Sequence, residues 1–491
     1  MSFSPLVNNT TLRSSRPQAV GPRPWPIAGH IPEWRKDPVT LLTEAARFGD
    51  VVRLSLPGET YLLNHPRHVK HVLQDNHQNY RKGWVFDRIR PYWGESLLTA
   101  EGETWRQQRR RVQPSFKREH TTGFAPTITR RTAEMLARWD SIAGSGQELD
   151  VYSEMTQLAL VIIGDVLFGV ELWADVSEMA DAVQAALRVL KTRVSALAPL
   201  PLWIPTASNR RFKGAMRTLN DRVAHIVEQN RRPEHGSGSS FVAQLMQASD
   251  GVTGARMTDR QLHDEIIGML QQGHDTIGET LAWTWYLLSL HPEVERKLFL
   301  EVSQVLGSRM PVVSDLERLE YATMVLQESM RVYPPVWVIP RDAINDDEIG
   351  GYRIPGGSTV LLSPYLTHRH PEFWDNPEAF DPERFRPAVA KGRPRHAYFP
   401  FGGGPRQCMG ADMAMMETLL IMTMIVQKFR LNLVSGHREE PECILDMVPR
   451  RHVRATLHRQ PALIQGRAMA GVFESRTDSP AALTCPFATR H

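Results

Sequence analysis

Residues 401 to 410 read Phe401-Gly402-Gly403-Gly404-Pro405-Arg406-Gln407-Cys408-Met409-Gly410, and this decapeptide is the most informative part of the chain. Its glycines and its proline allow the backbone to turn tightly around one sulfur atom, so that amide N–H groups can point at it. The next segment, Ala411 to Phe429, is apolar on all sides, which predicts a buried helix with its positive N-terminal end near Cys408. Because a helix N-terminus lowers the pKa of a cysteine thiol, the pattern favours a thiolate at this position.

Taken alone, Cys408 has two interpretations. A free cysteine is most often a small apolar residue of the core, and the alternative is a metal ligand. The other cysteines, Cys443 and Cys485, are distant, and no C-x-x-C or paired-histidine spacing favours zinc or a redox dithiol. The decapeptide as a whole resembles the haem-binding loop of the cytochrome P450 family. This resemblance implies that Cys408 is the axial thiolate ligand of a haem b iron and that Phe401 and Arg406 contact the haem.

The charge balance and the cysteine content narrow the class of protein. The 491 residues include 58 lysines and arginines and 54 aspartates and glutamates. This near balance of charge excludes nonspecific binding of nucleic acid as the main activity. Three unpaired cysteines indicate a reducing compartment. The first 20 residues are polar and lack an apolar run long enough for a signal sequence or a transmembrane anchor. We therefore expect a soluble, cytoplasmic protein.

The chain is expected to form one large domain, because no linker rich in Pro, Gly or Ser divides it into halves. The sequence predicts a flexible N-terminal segment (1–21), a single domain (22–460) and a poorly ordered, aperiodic C-terminal tail (461–491). Helical patterns dominate to about residue 306. Short strands are predicted elsewhere, over Val51 to Leu56, over Thr60 to Leu63 and within Val336 to Leu362. The fold class is thus mostly α with a small β-rich part, and the resemblance implies the triangular helical haem domain of cytochromes P450.

A long helix is predicted from Thr258 to about Leu290, with Thr258-x-x-Gln261 as a capping box and an end at His291-Pro292. Polar residues and a glycine, from 271 to 276, interrupt its apolar pattern. One interpretation is that Thr276 bonds back to the carbonyl of Gln272 and bends the helix. The other is that a carboxylate beside a hydroxyl delivers protons to a bound ligand. The segment resembles the oxygen-activation motif of cytochromes P450, (Ala/Gly)-Gly-x-(Asp/Glu)-Thr-(Thr/Ser), which implies that Asp275 and Thr276 form the proton relay.

The match to this motif has two departures. Ile277 replaces the second hydroxyl residue, and Gln272 stands where the family usually has Ala or Gly. Since the small residue of related enzymes faces the iron, our hypothesis is that Gln272 shapes the distal pocket together with Gly273 and Val338, either touching or approaching the iron. The alternative is that its amide hydrogen-bonds to a nearby backbone group.

A second motif pairs Glu328 with Arg331 in a helix that we expect to be capped by Ser314-x-x-Glu317 and ended by Pro334-Pro335. Alone, such a pair is usually solvated and is worth about 0.2 to 0.5 kcal/mol. The helix resembles the Glu-x-x-Arg helix of the family, and Pro382-Glu383-Arg384-Phe385 resembles its meander motif. The resemblance implies a buried structural network of Glu328, Arg331 and Arg384 behind the cysteine loop.

The two haem propionates require cationic or polar partners. Trp105-x-x-x-Arg109 resembles the propionate-binding helix of the family, and Arg341 and Arg406 match two further propionate contacts. The alternative for the basic run that contains Arg109 is an ordinary solvated face. Basic residues on the cysteine side would also suit the docking of an acidic electron donor such as a ferredoxin.

The resemblance extends over roughly Pro22 to His458. It implies a haem-thiolate monooxygenase that uses O2 to hydroxylate or epoxidise a small hydrophobic substrate, such as a fatty acid, a terpenoid or a polyketide-like molecule. Electrons would come from NAD(P)H through a separate ferredoxin and ferredoxin reductase, or a flavodoxin. Two alternatives are a haem-thiolate peroxygenase or isomerase, which normally lacks the acid–hydroxyl pair, and a noncatalytic haem-binding sensor.

Overall fold

The computed structural model describes residues 18–168, 176–196, 200–231, 240–434, 436, 438–443 and 445–461. The predictions of a flexible N-terminal segment and a poorly ordered tail fall almost entirely on residues 1–17 and 462–491, which lie outside this described part. Within it the chain is predominantly helical with small sheets, as the sequence predicted.

Eighteen α-helices lie in the described part of the chain. In chain order they are α1 (Ile31–Lys36), α2 (Pro38–Ala46), α3 (Pro66–Lys70), α4 (Trp84–Trp93), α5 (Gly102–Val112), α6 (Arg118–Thr121), α7 (Ala125–Ile142), α8 (Val151–Phe168), α9 (Val176–Ser195), α10 (Ala207–Arg231), α11 (Phe241–Gln247), α12 (Asp259–Gln272), α13 (Asp275–Leu290), α14 (Pro292–Leu306), α15 (Glu320–Val332), α16 (Pro364–Thr367), α17 (Pro387–Ala390) and α18 (Ala411–Lys428).

Twelve short strands in the described residues form four sheets. They are β1 (Val51–Ser55), β2 (Glu59–Leu63), β3 (Tyr80–Arg81), β4 (Glu148–Asp150), β5 (Ile339–Ala343), β6 (Asp347–Ile349), β7 (Tyr352–Ile354), β8 (Thr359–Leu362), β9 (Phe429–Leu433), β10 (Pro441–Cys443), β11 (Met447–Pro449) and β12 (Arg454–Arg459). The largest sheet has the order β1-β2-β8-β5-β3, in which β2 and β8 are parallel and the other neighbours are antiparallel. The predicted strands at residues 51 and 60 are confirmed as β1 and β2.

The core is built around helices that are apolar on all sides. Every residue of α13 from Ile277 to Leu288 is buried, and so is α18 from Met416 to Val426. A helix without a polar face has to be enclosed by other elements, here including α8, α14 and α15. Trp283 of α13 stacks on Tyr333, the residue after α15, at 3.9 Å between ring centroids. This contact packs α13 against the end of α15. The predicted buried helix behind Cys408 is confirmed as α18.

The predicted long helix is present as two helices. The capping box is confirmed, because Thr258 accepts from the N–H of Gln261 and the Gln261 side chain accepts from the N–H of Thr258. The helix ends at His291, also as predicted. The expected continuity is wrong, since α12 stops at Gln272 and α13 begins at Asp275. A glycine followed by a histidine that bonds back to the preceding turn separates the two.

The predicted cap of the Glu328 helix is wrong. Ser314 lies inside a short 3-10 helix (Val313–Arg318), and α15 begins after Leu319 with no side-chain cap. Asp315, the neighbour of Ser314, provides the cap of the short helix by accepting from the N–H of Val312 at 2.9 Å. A Ser-x-x-Glu pattern therefore preceded the helix without starting it.

Candidate active site

The cysteine loop is closed by its own backbone. The N–H of Cys408 donates to the carbonyl of Phe401 at 3.0 Å, and a single 3-10 turn (Gly404–Arg406) fills the space between them. Gly404 has a φ of +65°, and a Cβ atom there would lie 1.7 Å from the carbonyl oxygen of Leu73. Only glycine fits this close approach. The loop is thus held against the segment that follows α3, and α18 begins directly after it.

Cys408 borders an opening within the protein, here called the cleft. Its side chain is accessible to solvent, yet protein surrounds it closely enough for burial to raise the pKa of its thiol. The N–H of Gly410, which hydrogen-bonds to the sulfur, and the charge of Arg109 offset this only in part. The predicted lowering of the thiol pKa is therefore wrong for the cysteine loop by itself. A metal ion bound at the sulfur would reverse the balance, because a coordinating thiol is deprotonated outright.

The predicted propionate ligands come together near this loop. Arg406 pairs with Glu101, donates to the carbonyl of Ala100 at 3.2 Å, and lies with its guanidinium 4.3 Å from the ring centroid of Trp105. Arg341 is buried, and burial together with the charge of Arg406 lowers its pKa to about 10. Arg109 is placed differently, because its Nη1 donates to the carbonyl of Gln407 at 3.0 Å.

Lys82 adds another buried cation to this group. Burial and the charges of Arg406 and Arg341 lower its pKa well below the usual value. Its ammonium group donates to the carbonyl of Leu98, and its N–H donates to Glu101 Oε1 at 2.7 Å. Three cations that disfavour one another around one carboxylate are suited to a ligand with further negative charge. The two propionates of a haem would fit this requirement, and the Cys408 thiol is accessible as a ligand for a metal ion.

Residues 272–276, which we call the distal segment, form both of the local hydrogen bonds that the sequence analysis gave as alternatives. Thr276 Oγ1 donates to the carbonyl of Gln272 at 3.2 Å, and Gln272 Nε2 donates to the carbonyl of Gly268 at 3.0 Å. Gly273 approaches α8, because a Cβ atom there would be 2.6 Å from Cδ1 of Ile163. Val338 is half-buried just before β5 and packs against the main core.

Asp275 forms a buried pair with the residue before it. Nε2 of His274 lies 3.0 Å from Asp275 Oδ1, and its Nδ1 lies 2.6 Å from the carbonyl oxygen of Leu270. Burial disfavours a charged imidazole, but the Asp275 carboxylate more than offsets this and raises the pKa of His274. In this conformation the carboxylate is engaged with His274, and the Thr276 hydroxyl is engaged with the helix backbone.

The structure also brings Glu328, Arg331 and Arg384 together. Arg331 donates to Glu328 at 2.6 and 2.8 Å, and both side chains are 0% exposed. Nε of Arg384 lies 3.5 Å from Glu328 Oε1. Arg331 also donates to three backbone carbonyls of the meander, those of His368, Pro377 and Ala379. A single guanidinium therefore joins α15 to the segment that leads into the cysteine loop.

Comparison with known proteins identifies this arrangement. The family model described as Cytochrome P450 matches residues 20–457. The chain belongs to the cytochrome P450 family. Membership implies a haem cofactor with cysteine thiolate ligation, and relatives named as monooxygenases place this P450 in the same class of enzyme.

Several relatives act on terpenoid skeletons, judging by their names. The chain is 33% identical to Cyclooctat-9-en-7-ol 5-monooxygenase of Streptomyces melanosporofaciens, over 87% of this chain and 94% of the relative. It is 33% identical to Cyclooctatin synthase of the same organism, over 86% and 92% respectively. It is 29% identical to Pentalenene oxygenase of Streptomyces avermitilis, over 92% and 98%.

A solved structure agrees in fold. The crystal structure of cytochrome P450DA heme domain superposes with a TM-score of 0.84 at 24% identity, over 91% of this P450 and 98% of that chain. The predicted family and fold are therefore confirmed. Among the described residues, none of the helices combines the length and the apolar character that a membrane crossing needs.

Sequence reasoning missed three residues of the site region. Lys82 and Glu101 do not belong to any recognisable sequence motif. They lie near Arg341 and Arg406 only because the fold brings distant segments together. His274 lies inside the quoted oxygen-activation segment, and its position beside Asp275 was the available signal. Glu417 of α18, nine positions after Cys408, is also buried, and burial raises its pKa to about 8.

Proposed function

We propose that this P450 monooxygenase hydroxylates or epoxidises a hydrophobic terpenoid, with O2 and with electrons from NAD(P)H passed through a ferredoxin and its reductase or a flavodoxin. The observation that carries the substrate class is the similarity, over nearly the whole chain, to relatives whose names specify cyclooctat-9-en-7-ol and pentalenene.

In this proposal the chain holds haem b through a few residues. Cys408 would provide the thiolate that binds the haem iron, Phe401 lies beside it in the loop, and Arg341, Arg406 and Trp105 would hold the propionates. When bound, a thiolate-ligated haem supplies the cleavage of O2 and the transfer of one oxygen atom. Lys82 adds a cation to the propionate partners, and a bound carboxylate near it would raise its lowered pKa.

The distal residues are proposed to move protons. His274 holds a proton at Nε2, and it can pass this proton to Asp275 Oδ1, 3.0 Å away. Asp275 must then turn from His274 toward the cleft, and Thr276 Oγ1 must leave the carbonyl of Gln272 to pass the proton on. Thr276 is half-buried and directly follows Asp275, which supports its hydroxyl as the last protein group of this relay.

The surface that binds the electron-donor protein is proposed to lie beside the cysteine loop. Arg109 and the exposed Arg395 both hold Gln407, the neighbour of Cys408, through the Gln407 carbonyl and the Gln407 Oε1 respectively. Two guanidinium groups at this point favour an acidic protein as electron donor. A ferredoxin or a flavodoxin has that character.

The test is reconstitution of the purified holoenzyme. The reduced carbonyl complex should give the strongly red-shifted Soret band of thiolate ligation. NADPH, ferredoxin and reductase should then convert a terpenoid in a panel of terpenoids and fatty acids to a product with one added oxygen. Oxygenation of fatty acids alone would contradict the substrate class. Turnover only with peroxide, or rearrangement without added oxygen, would indicate the peroxygenase or isomerase alternative, and redox-linked ligand binding without turnover would indicate a sensor.

A further inference from the structure

Gln272 is exposed on a helix pair that is otherwise enclosed. Across residues 261–288, all of which the structure describes, Gln272 is the one exposed residue, and its neighbours on the same helix face are buried or half-buried. Exposure at the centre of a buried helix pair means an internal opening. The side chain of Gln272 therefore borders this opening, four residues before Thr276 of the proposed relay.

The orientation of this amide is fixed by one hydrogen bond. Nε2 of Gln272 donates to the carbonyl of Gly268 at 3.0 Å, one turn earlier. Among the described residues, no group donates to its Oε1. An amide oxygen accepts hydrogen bonds, so a ligand that engages it must supply an O–H or N–H group.

Ser96 lies next to Gln272 on the same side of α12. A Cβ atom added to Gly268 would lie 2.8 Å from Ser96 Oγ and 3.7 Å from Gln272 Nε2. Both side chains therefore border the same side of α12. Ser96 is 1% exposed, and its hydroxyl has no hydrogen-bond partner in the described part of the chain. A buried hydroxyl without a partner is costly, which points to a ligand or a water molecule that satisfies it.

Glu265 completes the polar side of this helix. Residues 265, 268 and 272 share one face, and Glu265 Oε2 accepts from the N–H of Leu97, the neighbour of Ser96. Burial raises the pKa of Glu265 to about 7, and the nearby Lys82 offsets part of its charge. Because burial disfavours the charged form of Glu265 and its Oε2 is already engaged by a backbone N–H, a neutral hydroxyl suits this side of α12.

We propose that Gln272 and Ser96 bind a hydroxyl group of the substrate, with Gln272 Oε1 accepting the substrate O–H and Ser96 Oγ donating to the same oxygen. This P450 would then act on a terpenoid alcohol in preference to the parent hydrocarbon. Such a substrate is supplied by an earlier hydroxylation, or by a cyclisation that ends with capture of water. The inference rests on the proposed terpenoid substrate class and makes it more specific.

The test compares the affinity of the holoenzyme for matched pairs, α-cedrene with cedrol and ent-kaurene with ent-kaurenol. Dissociation constants come from the ligand-induced shift of the Soret band, which requires no turnover. We expect the alcohol of at least one pair to bind about tenfold more tightly than its hydrocarbon, the size of effect that a hydrogen bond to a buried polar group gives. Gln272→Met keeps the side-chain length but removes the amide, and it should bring this ratio close to one.

Two further variants complete the design. Ser96→Ala should also reduce the ratio, because it removes the second hydrogen bond. Gln229→Met, at a half-buried glutamine of α10 whose amide pairs with His225, should keep the wild-type ratio. Equal affinity for alcohol and hydrocarbon in the wild-type enzyme would overturn the inference and leave the terpenoid class standing. If no terpenoid of either kind binds while fatty acids do, the proposed substrate class fails and the inference fails with it.

Discussion

Glu417 provides a quantitative test of how the interior of this P450 treats charge. It lies in α18, directly behind the cysteine loop, and its side chain is 2% exposed. Its Oε1 has no hydrogen-bond partner among the described residues, and burial raises its pKa to about 8. At neutral pH the folded protein therefore holds a protonated carboxylic acid at this position.

The consequence for stability follows from the ordinary pKa of 4.5. Below pH 4.5 both the folded and the unfolded state are protonated, and Glu417 imposes no penalty. As the pH rises toward 8, the unfolded chain loses the proton while the folded protein keeps it, so the free energy of unfolding decreases. At 1.36 kcal/mol per pKa unit, the full loss above pH 8 is about 5 kcal/mol. Glu417→Gln has no proton to lose and should avoid this loss.

The measurement is urea unfolding of the holoenzyme, followed by far-UV circular dichroism at pH 5.5 and pH 8.5. The haem absorbance is recorded on the same samples so that cofactor loss is seen separately. At pH 5.5, one unit above the ordinary pKa, the penalty on the wild-type protein is about 1 kcal/mol, so the stability advantage of Glu417→Gln should be about 3 to 4 kcal/mol larger at pH 8.5 than at pH 5.5. Glu44→Gln, at an exposed glutamate paired with Arg47, should follow the wild-type protein at both values. An identical pH dependence in Glu417→Gln and the wild-type protein would refute the reasoning.

Three further predictions concern the cysteine loop, the buried ion pair and the distal hydroxyl. Gly404→Ala should lose most of its haem per mole of protein, because the added Cβ would meet a backbone carbonyl at 1.7 Å. The control Gly392→Ala should retain its haem, because the Cβ added there meets no atom within 4 Å. Arg331→Gln strands a buried carboxylate and should lower the free energy of unfolding by about 3 to 5 kcal/mol, against about 1 kcal/mol or less for the exposed pair in Arg106→Gln. Equal losses in urea unfolding would contradict this. Thr276→Ala should keep haem and substrate binding but divert electrons to peroxide, and a wild-type ratio of product to peroxide would exclude the relay role.

Features that depend on neighbouring residues in the chain were predicted well. The capping box at Thr258, the end of α13 at His291 and the predominantly apolar pattern of α18 each require only a short window of sequence. The interruption at residues 271–276 was also visible, although its outcome, a break between two helices, was not. A glycine and a following histidine can bend a helix or end it, and the close packing of Gly273 against Ile163 decides between these outcomes.

Features that depend on distant contacts could not be predicted in the same way. Lys82 and Glu101 meet Arg406 across more than 300 residues of sequence, and neither residue has a local pattern that marks it. The pKa of the Cys408 thiol was predicted in the wrong direction for a related reason. A helix N-terminus and a nearby N–H group are visible in the sequence, but the degree of enclosure that outweighs them depends on the whole fold.

The buried charges near the cofactor site suggest why the haem and the fold depend on each other. Lys82, Arg341 and Arg406 disfavour one another inside the protein, with Glu101 as the carboxylate that contacts Lys82 and Arg406. Such an excess of one sign costs free energy in the absence of a counter-charge. In the proposed haem site, two propionates would supply that counter-charge. Because a ligand that binds only the folded state stabilises it, part of the haem-binding energy would offset this repulsion. On this assignment, the residues that weaken the protein without haem would be those that favour haem binding.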